Sequence, residues 1–179
     1  MAKVVDIDSL VDMYILQEIA EDNDLGWSSF LFTLDMSEEG NHLLTYNAPW
    51  DFDSAFGNDV SNLENDALFG MNTDQPWLVV FDGEDWFWEM VYARYQEAKD
   101  AGVFENAAQL IDDYTDQYAD AYERNNEKWK VAEAGSKSWD AGNIVYDTQT
   151  EAAAALKDWY LQRIENMEKL FKEKAGQEE

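Results

Sequence analysis

The hydrophobic spacing of this chain changes period twice, from helical to extended and back, and that order limits what it can fold into. Leu10, Val11, Tyr14, Ile15 and Ile19 recur at helical spacing and form one apolar face. Asp6 or Asp8 can N-cap this first helix, which ends in the polar run Glu21-Asp22-Asn23-Asp24 with Gly26 just after. Ser29-Phe30-Leu31-Phe32-Thr33-Leu34 then reads as a strand, with His42-Leu43-Leu44-Thr45-Tyr46 as its partner across the turn Ser37-Glu38-Glu39-Gly40-Asn41. Pro49 breaks that ladder, and residues 59–76 read as a long loop. Beyond them the helical period returns. One helix is expected from Asp85 to Lys99, with Phe87, Met90, Val91, Arg94 and Tyr95 along one side and Gly102 able to close it. A second runs from Asn106 to about Trp129, with Leu110, Ile111, Tyr114, Tyr118 and Tyr122 on a stripe. Residues 133–149, with Gly135, Trp139 and Gly142, read as irregular. A last helix from about Thr150 to Lys174 turns Leu156, Trp159, Tyr160, Ile164, Met167 and Phe171 inward. The chain is therefore α+β and mainly helical, with a β-hairpin between the first helix and the later ones. Without an internal repeat or low-complexity linker, residues 1–179 are expected to form a single domain.

Charge narrows the partners. There are 39 acidic residues against 12 basic ones, a formal charge of -27. An acidic tail would be poor in aromatics, whereas 8 Trp, 9 Tyr and 9 Phe can build a core. Direct binding to nucleic-acid phosphates needs a basic face and is excluded on this ground, and an anionic membrane surface would repel the chain. Divalent cations and basic protein segments are the natural counterparts of such a charge, although it serves solubility equally well. With no Cys there is no disulfide framework, thiol nucleophile or Cys-zinc site. Met1-Ala2-Lys3-Val4-Val5 runs straight into an acidic helix without an apolar signal region, so the signal of a secreted protein would lie upstream. No apolar run approaches the roughly 18 residues of a membrane span, so no membrane insertion is expected.

Pro49-Trp50-Asp51-Phe52-Asp53 is the sharpest local feature, two carboxylates leaving a strand end beside the Gly57-Asn58 turn. Hard cations such as Mg²⁺ prefer such oxygen ligands. On composition alone the same residues read rather as an acidic loop capped by a buried core Trp50. A calcium loop does not fit, because Phe56 and Asn62 stand where an EF-hand needs Gly and Glu. Asp24, between the first helix and a strand, is placed to accept a proton from a substrate hydroxyl, or to form a turn with Asn23. His42 is the only His and falls in the second strand as a hairpin surface residue, which disfavours a His-based triad or zinc site. Glycosidase chemistry needs only two carboxylates, and among 39 acids some pair is always at hand. Trp86, Trp88 and Trp159 lie in helices and read as core rather than as a sugar-stacking row.

Taken together, these segments resemble a family. Val5 to Glu18 resembles the helix that precedes the catalytic loop of CotH (spore coat protein H) kinases. Asn23-Asp24 followed by Ser28-Ser29-Phe30-Leu31-Phe32 resembles their loop and following strand, and Pro49-Trp50-Asp51-Phe52-Asp53-Ser54-Ala55-Phe56-Gly57-Asn58 their most specific signature. Trp86-Phe87-Trp88-Glu89-Met90-Val91 with Arg94-Tyr95, and Leu156-Lys157-Asp158-Trp159 with Arg163, are similar to their C-lobe helices. The resemblance implies an atypical kinase C-lobe-like domain of a coat or cell-surface protein, extracellular, that transfers the γ-phosphoryl of ATP to Ser or Thr of a protein substrate. By position it makes Asp24 the catalytic-loop aspartate, Asp51 the metal-binding aspartate for Mg²⁺ or Mn²⁺, and Asp53 a possible second ligand. The separation, 51 − 24 = 27 residues, accommodates one hairpin between loop and metal site. Two departures stand out: Trp27 occupies a position often Lys or Arg in the family, and Ser29 one where ordinary kinases carry a metal-binding Asn. The glycine-rich loop and phosphate-pairing Lys of an N-lobe would lie before Met1, so residues 1–179 are expected to be inactive by themselves. A non-catalytic, pseudokinase-like interaction domain is the alternative.

Overall fold

The computed structural model of the protein describes residues 3–25, 29–59, 63–71, 76–130 and 144–177. Helix α1 (Ile7–Ala20) is followed by strands β1 (Phe30–Leu34) and β2 (Leu44–Pro49), a 3₁₀ turn at Phe52–Ser54 and a short helix α2 (Pro76–Val79). Helices α3 (Asp85–Asp100), α4 (Val103–Gln117), α5 (Ala119–Trp129) and α6 (Gln149–Lys174) complete the chain. The expected α+β class, mainly helical with one antiparallel hairpin between α1 and the later helices, is what forms.

α1 starts where a cap is available: Asp6 Oδ1 accepts the Ser9 N–H at 3.2 Å. It stops where Glu21 takes left-handed backbone geometry and donates its N–H to the Gln17 carbonyl. Its burial differs from the single apolar face read from spacing. Leu10, Val11, Met13, Tyr14, Ile15, Gln17, Glu18, Ile19 and Ala20 are all buried, so the helix is covered on most sides. β2 packs on it from one direction and α3 and α6 from others. Tyr14 sits at the centre of an aromatic cluster, with ring centroids 5.0 Å from Phe87 and 5.6 Å from Trp88, and Phe171 closing the far side. Each such buried side chain contributes about 1.5–3 kcal/mol of hydrophobic stabilisation, and that is what holds so acidic a chain together.

The hairpin is anchored to the segment that leads into α1. Leu44 donates its N–H to the Val4 carbonyl at 2.8 Å and accepts the Asp6 N–H at 3.0 Å, and the Tyr46 N–H reaches Ser9 Oγ at 3.1 Å. Register runs from Leu34 opposite Leu44 to Phe30 opposite Pro49, with an irregularity between Leu31 and Phe32. Pro49 thus ends the ladder rather than lying outside it. His42 lies ahead of β2, exposed, with φ 56 and its Nε2 2.8 Å from the Ser37 carbonyl. It is a hairpin surface residue, though not a strand residue.

Two expectations need correction. Trp50 is 60% exposed rather than buried. It stands one residue past the ladder, and the space on the core side is already filled by Tyr46 against Phe30 and by Phe56 against Trp159. The helix expected over 106–129 is two helices that break at Tyr118, and Leu110, Tyr114 and Tyr118 on its proposed stripe are largely exposed. Phe104 and Ala108 are the buried residues of α4. The last helix agrees well: Trp159, Tyr160, Met167 and Phe171 are buried, and Thr148 and Glu151 form a reciprocal capping box at its start. Gly102 closes α3 in left-handed geometry, with its N–H on the Lys99 carbonyl. Gly26, Trp27, and the Gly135, Trp139 and Gly142 segment lie outside the described residues. Among the described residues no helix is long and apolar enough to cross a membrane.

The stripe of α6 also carries an ion. Arg163, between Trp159 and Met167 on the inward face, is fully buried. Its guanidinium donates to the Glu18 carbonyl (2.6 and 3.1 Å), the Ala67 carbonyl (2.7 Å) and Glu18 Oε1 (3.0 Å). Glu18 Oε1 also accepts the Phe69 N–H at 2.7 Å. One buried pair thus fastens α6, α1 and the segment 63–71 together.

Candidate functional site

Two short segments meet beside the C-terminal end of α1. One is the turn that leaves the helix, Glu21 to Leu25; the other follows β2, Asp51 to Asn58. Backbone hydrogen bonds stitch them: Phe56 N–H to the Ala20 carbonyl at 2.7 Å, and Asn23 N–H to the Ser54 carbonyl at 3.4 Å. The hairpin that separates them in sequence folds away and returns, so residues far apart in the chain become neighbours.

In the first segment Asp22 Oδ1 accepts the Asp24 N–H at 2.9 Å, which makes an Asx turn. Asp24 is half-buried, and its Oδ2 accepts the Ser29 hydroxyl at 2.8 Å. That contact fixes one carboxylate oxygen at the start of β1.

In the second segment Asp51 has φ 65 and precedes the 3₁₀ turn without capping it, so its exposed carboxylate is not used to hold the turn. Asp53 is also exposed, and its carbonyl accepts the Asn58 side-chain N–H at 2.8 Å. Gly57 needs to be glycine: at φ 72 a Cβ there would lie 2.5 Å from the Trp159 ring. The α6 indole thereby sets the height of the loop.

The charges of both segments also bear on Asp22. Asp22 is fully buried, and its pKa is pushed up to about 6, first by burial and then by the charges of Asp24, Asp53 and Asp51, against the Asp24 N–H that favours the carboxylate. Its Oδ2 has no hydrogen-bond partner among the described residues. Glu21, next to it, is pushed up to about 7 by burial and by Glu18, Asp66 and Glu64, while the Arg163 charge opposes this. Gly70 makes room for Glu21, since a Cβ there would fall 1.7 Å from Glu21 Oε1.

The charges of Asp24, Asp51 and Asp53, the three residues picked out from sequence, all bear on Asp22. Among the described residues no three carboxylate or His groups converge into a ready-made direct coordination cage. What a cation would meet here is the exposed carboxylates of Asp51 and Asp53, hard oxygen ligands that leave room for an ion to keep several waters. Sequence reading missed Asp22, because in a chain this rich in acids nothing local marks the one that is buried. The 3₁₀ segment also borders a cleft of about 710 Å³ between α4, α5 and α6, lined by Phe52, Leu110, Tyr114, Leu156 and Trp159 among others.

A family model described as CotH kinase protein matches residues 1–167. No curated protein and no solved structure matches the chain.

Proposed function

The chain belongs to the CotH kinase protein family, and from that premise we propose that it is the C-lobe-like part of an atypical protein kinase that transfers phosphoryl from Mg-ATP to Ser or Thr of a coat or cell-surface protein. The observation that supports the reading is the stitching of the Asp24 turn to the Asp51–Asn58 segment by backbone hydrogen bonds. Phosphoryl transfer asks a protein for positioning and charge neutralisation, with one aspartate for the acceptor hydroxyl and one or two for the cation.

In this reading Asp24 accepts a hydrogen bond from the acceptor hydroxyl and orients it for attack. The Ser29 hydroxyl donates to Asp24 Oδ2 and fixes the direction of the carboxylate. Asp51, with Asp53, holds Mg²⁺ or Mn²⁺, which when bound offsets the charge of the phosphates. The left-handed Asp51 backbone leaves its carboxylate uncommitted to the turn, as a ligand requires. Arg94, Lys99, Lys157, Arg163, Lys169 and Lys174 all form ion pairs with acids on other parts of the surface or core.

Radiolabelled ATP incubated with the full gene product should label protein, and both Asp24→Ala and Asp51→Ala should abolish the label. Incorporation that survives both substitutions would overturn the assignment of these residues.

A further inference from the structure

Given the phosphoryl-transfer reading above, on which its purpose rests, we propose that Arg163 and Trp159 are positioning residues: one turn of α6 sets the spacing between the Asp24 turn and the Asp51–Asn58 segment. Each acts through the segment that it holds. Arg163 holds the first. The last carbonyls of a helix lack partners within it. At the end of α1 the Gln17 carbonyl accepts the Glu21 N–H, and the Ala20 carbonyl accepts the Phe56 N–H at 2.7 Å. The Glu18 carbonyl accepts two N–H groups of the Arg163 guanidinium, at 2.6 and 3.1 Å. The same planar fork reaches the Ala67 carbonyl at 2.7 Å, so it is anchored on two segments at once. A fixed cation also suits the negative end of the helix dipole. Asp24 follows three residues after Glu21, so the direction in which α1 ends decides how Asp24 is presented.

Trp159 holds the second segment. It lies four residues before Arg163, about 6 Å along the axis of the same helix. Its ring meets Phe56 edge-on with centroids 6.2 Å apart, and it stands so close to Gly57 that a Cβ there would fall 2.5 Å from it. Asn58 ties the loop to itself, with its backbone N–H on the Ala55 carbonyl at 3.1 Å and its side chain on the Asp53 carbonyl at 2.8 Å. Placing Gly57 therefore places Asp53, and the Phe56 N–H is the joint to α1. Both contacts come from one turn of one helix, which fixes the two segments to a common frame. Phosphoryl transfer depends on where the acceptor hydroxyl stands relative to the cation, and a misplacement of about 1 Å can cost about 100-fold in rate.

Amide hydrogen exchange on residues 1–179, followed by NMR, tests this without turnover, with the buried Val91 amide of α3 as the internal standard. Arg163→Lys keeps a charge beside Glu18 but loses the fork of donors. We expect the Glu21 and Phe56 amides to exchange about tenfold faster relative to Val91 in this variant. Trp159→Phe should speed Phe56 and Asn58 relative to Val91 in the same way, and it decides the matter if Arg163→Lys does not fold. A residue with only a general structural role would speed all these amides by one factor; unchanged ratios in both variants overturn the proposal. In the full gene product, incorporation from radiolabelled ATP per folded molecule should fall about 100-fold in Arg163→Lys. Local loosening with an undiminished rate overturns the positioning role. A wild type that incorporates no label overturns the phosphoryl-transfer reading instead, and the exchange ratios still decide whether α6 sets the spacing.

Discussion

Glu18 and Asp22 lie four residues apart at the end of α1, both fully buried, and their surroundings differ in kind. Glu18 meets a buried guanidinium and a backbone N–H, and Arg163 is itself saturated by carbonyls of Glu18 and Ala67. Burial still raises the Glu18 pKa, but the Arg163 charge opposes it directly. Asp22 meets one N–H and three further acids. Each leaves one carboxylate oxygen, Glu18 Oε2 and Asp22 Oδ2, without a hydrogen-bond partner among the described residues, but Glu18 has the Arg163 guanidinium beside it. A buried acid beside a buried base is held ionised by it, whereas a buried acid among like charges is costly to ionise. One turn of chain therefore separates an acid held by a base from one surrounded by acids.

The contrast can be broken at its strongest point first. Arg163→Ala leaves Glu18 buried and unpaired, and should cost about 4 kcal/mol, lowering the melting temperature by about 10 °C. Replacing both partners, as Arg163→Met with Glu18→Leu, should recover most of that loss. A double variant no more stable than Arg163→Ala would show that Arg163 acts through its backbone contacts and not through the pair.

Next is pH. Folding raises Glu21 from 4.5 to about 7 and Asp22 from 3.8 to about 6. An acid whose folded pKa exceeds its unfolded value binds protons better in the folded state, so stability falls as pH rises between the two values. The contribution is fully present below about pH 4 and lost as pH climbs through 6 and 7, at most about 3 kcal/mol for each group. Melting at pH 5 and at pH 8 should show the protein more stable at pH 5. Asp22→Asn should narrow that gap, while an unchanged gap would place the pH dependence in the general charge of the surface.

The smallest effect is expected outside both systems. Trp50 is 60% exposed, so Trp50→Ala should change stability by no more than about 0.5 kcal/mol. A loss of several kcal/mol in chemical denaturation would restore the buried role that the sequence suggests.

Much of this arrangement can be read from the residues. The Asp6 cap, the α3 stripe of Phe87, Val91 and Tyr95, the Gly102 stop and the α6 stripe follow from local spacing, because each depends on near neighbours. Asp24, Asp51 and Asp53 are legible as a group only through family resemblance, since 39 acids make any pair unremarkable. Other features are set by distant packing. α1 is buried on most sides because the hairpin and two helices cover it, which a single apolar face does not announce. Trp50 and the Tyr114–Tyr118 stripe look like core by residue type and are not, because other rings fill the available space. Arg163 had a readable signal, a lone base four residues from Trp159 and four from Met167 on an apolar stripe. Its partner Glu18 sits likewise one turn from Tyr14.

The central claim is that Asp51 holds a divalent cation at the junction with Asp24. Titration calorimetry of Mg²⁺ or Mn²⁺ into residues 1–179, wild type against Asp51→Ala, tests it most directly. The account predicts weak but resolvable binding by wild type, because ATP phosphates normally complete the shell, and its loss in the variant. Identical isotherms for the two proteins would mean that the cation merely condenses on an acidic surface, and would contradict the claim.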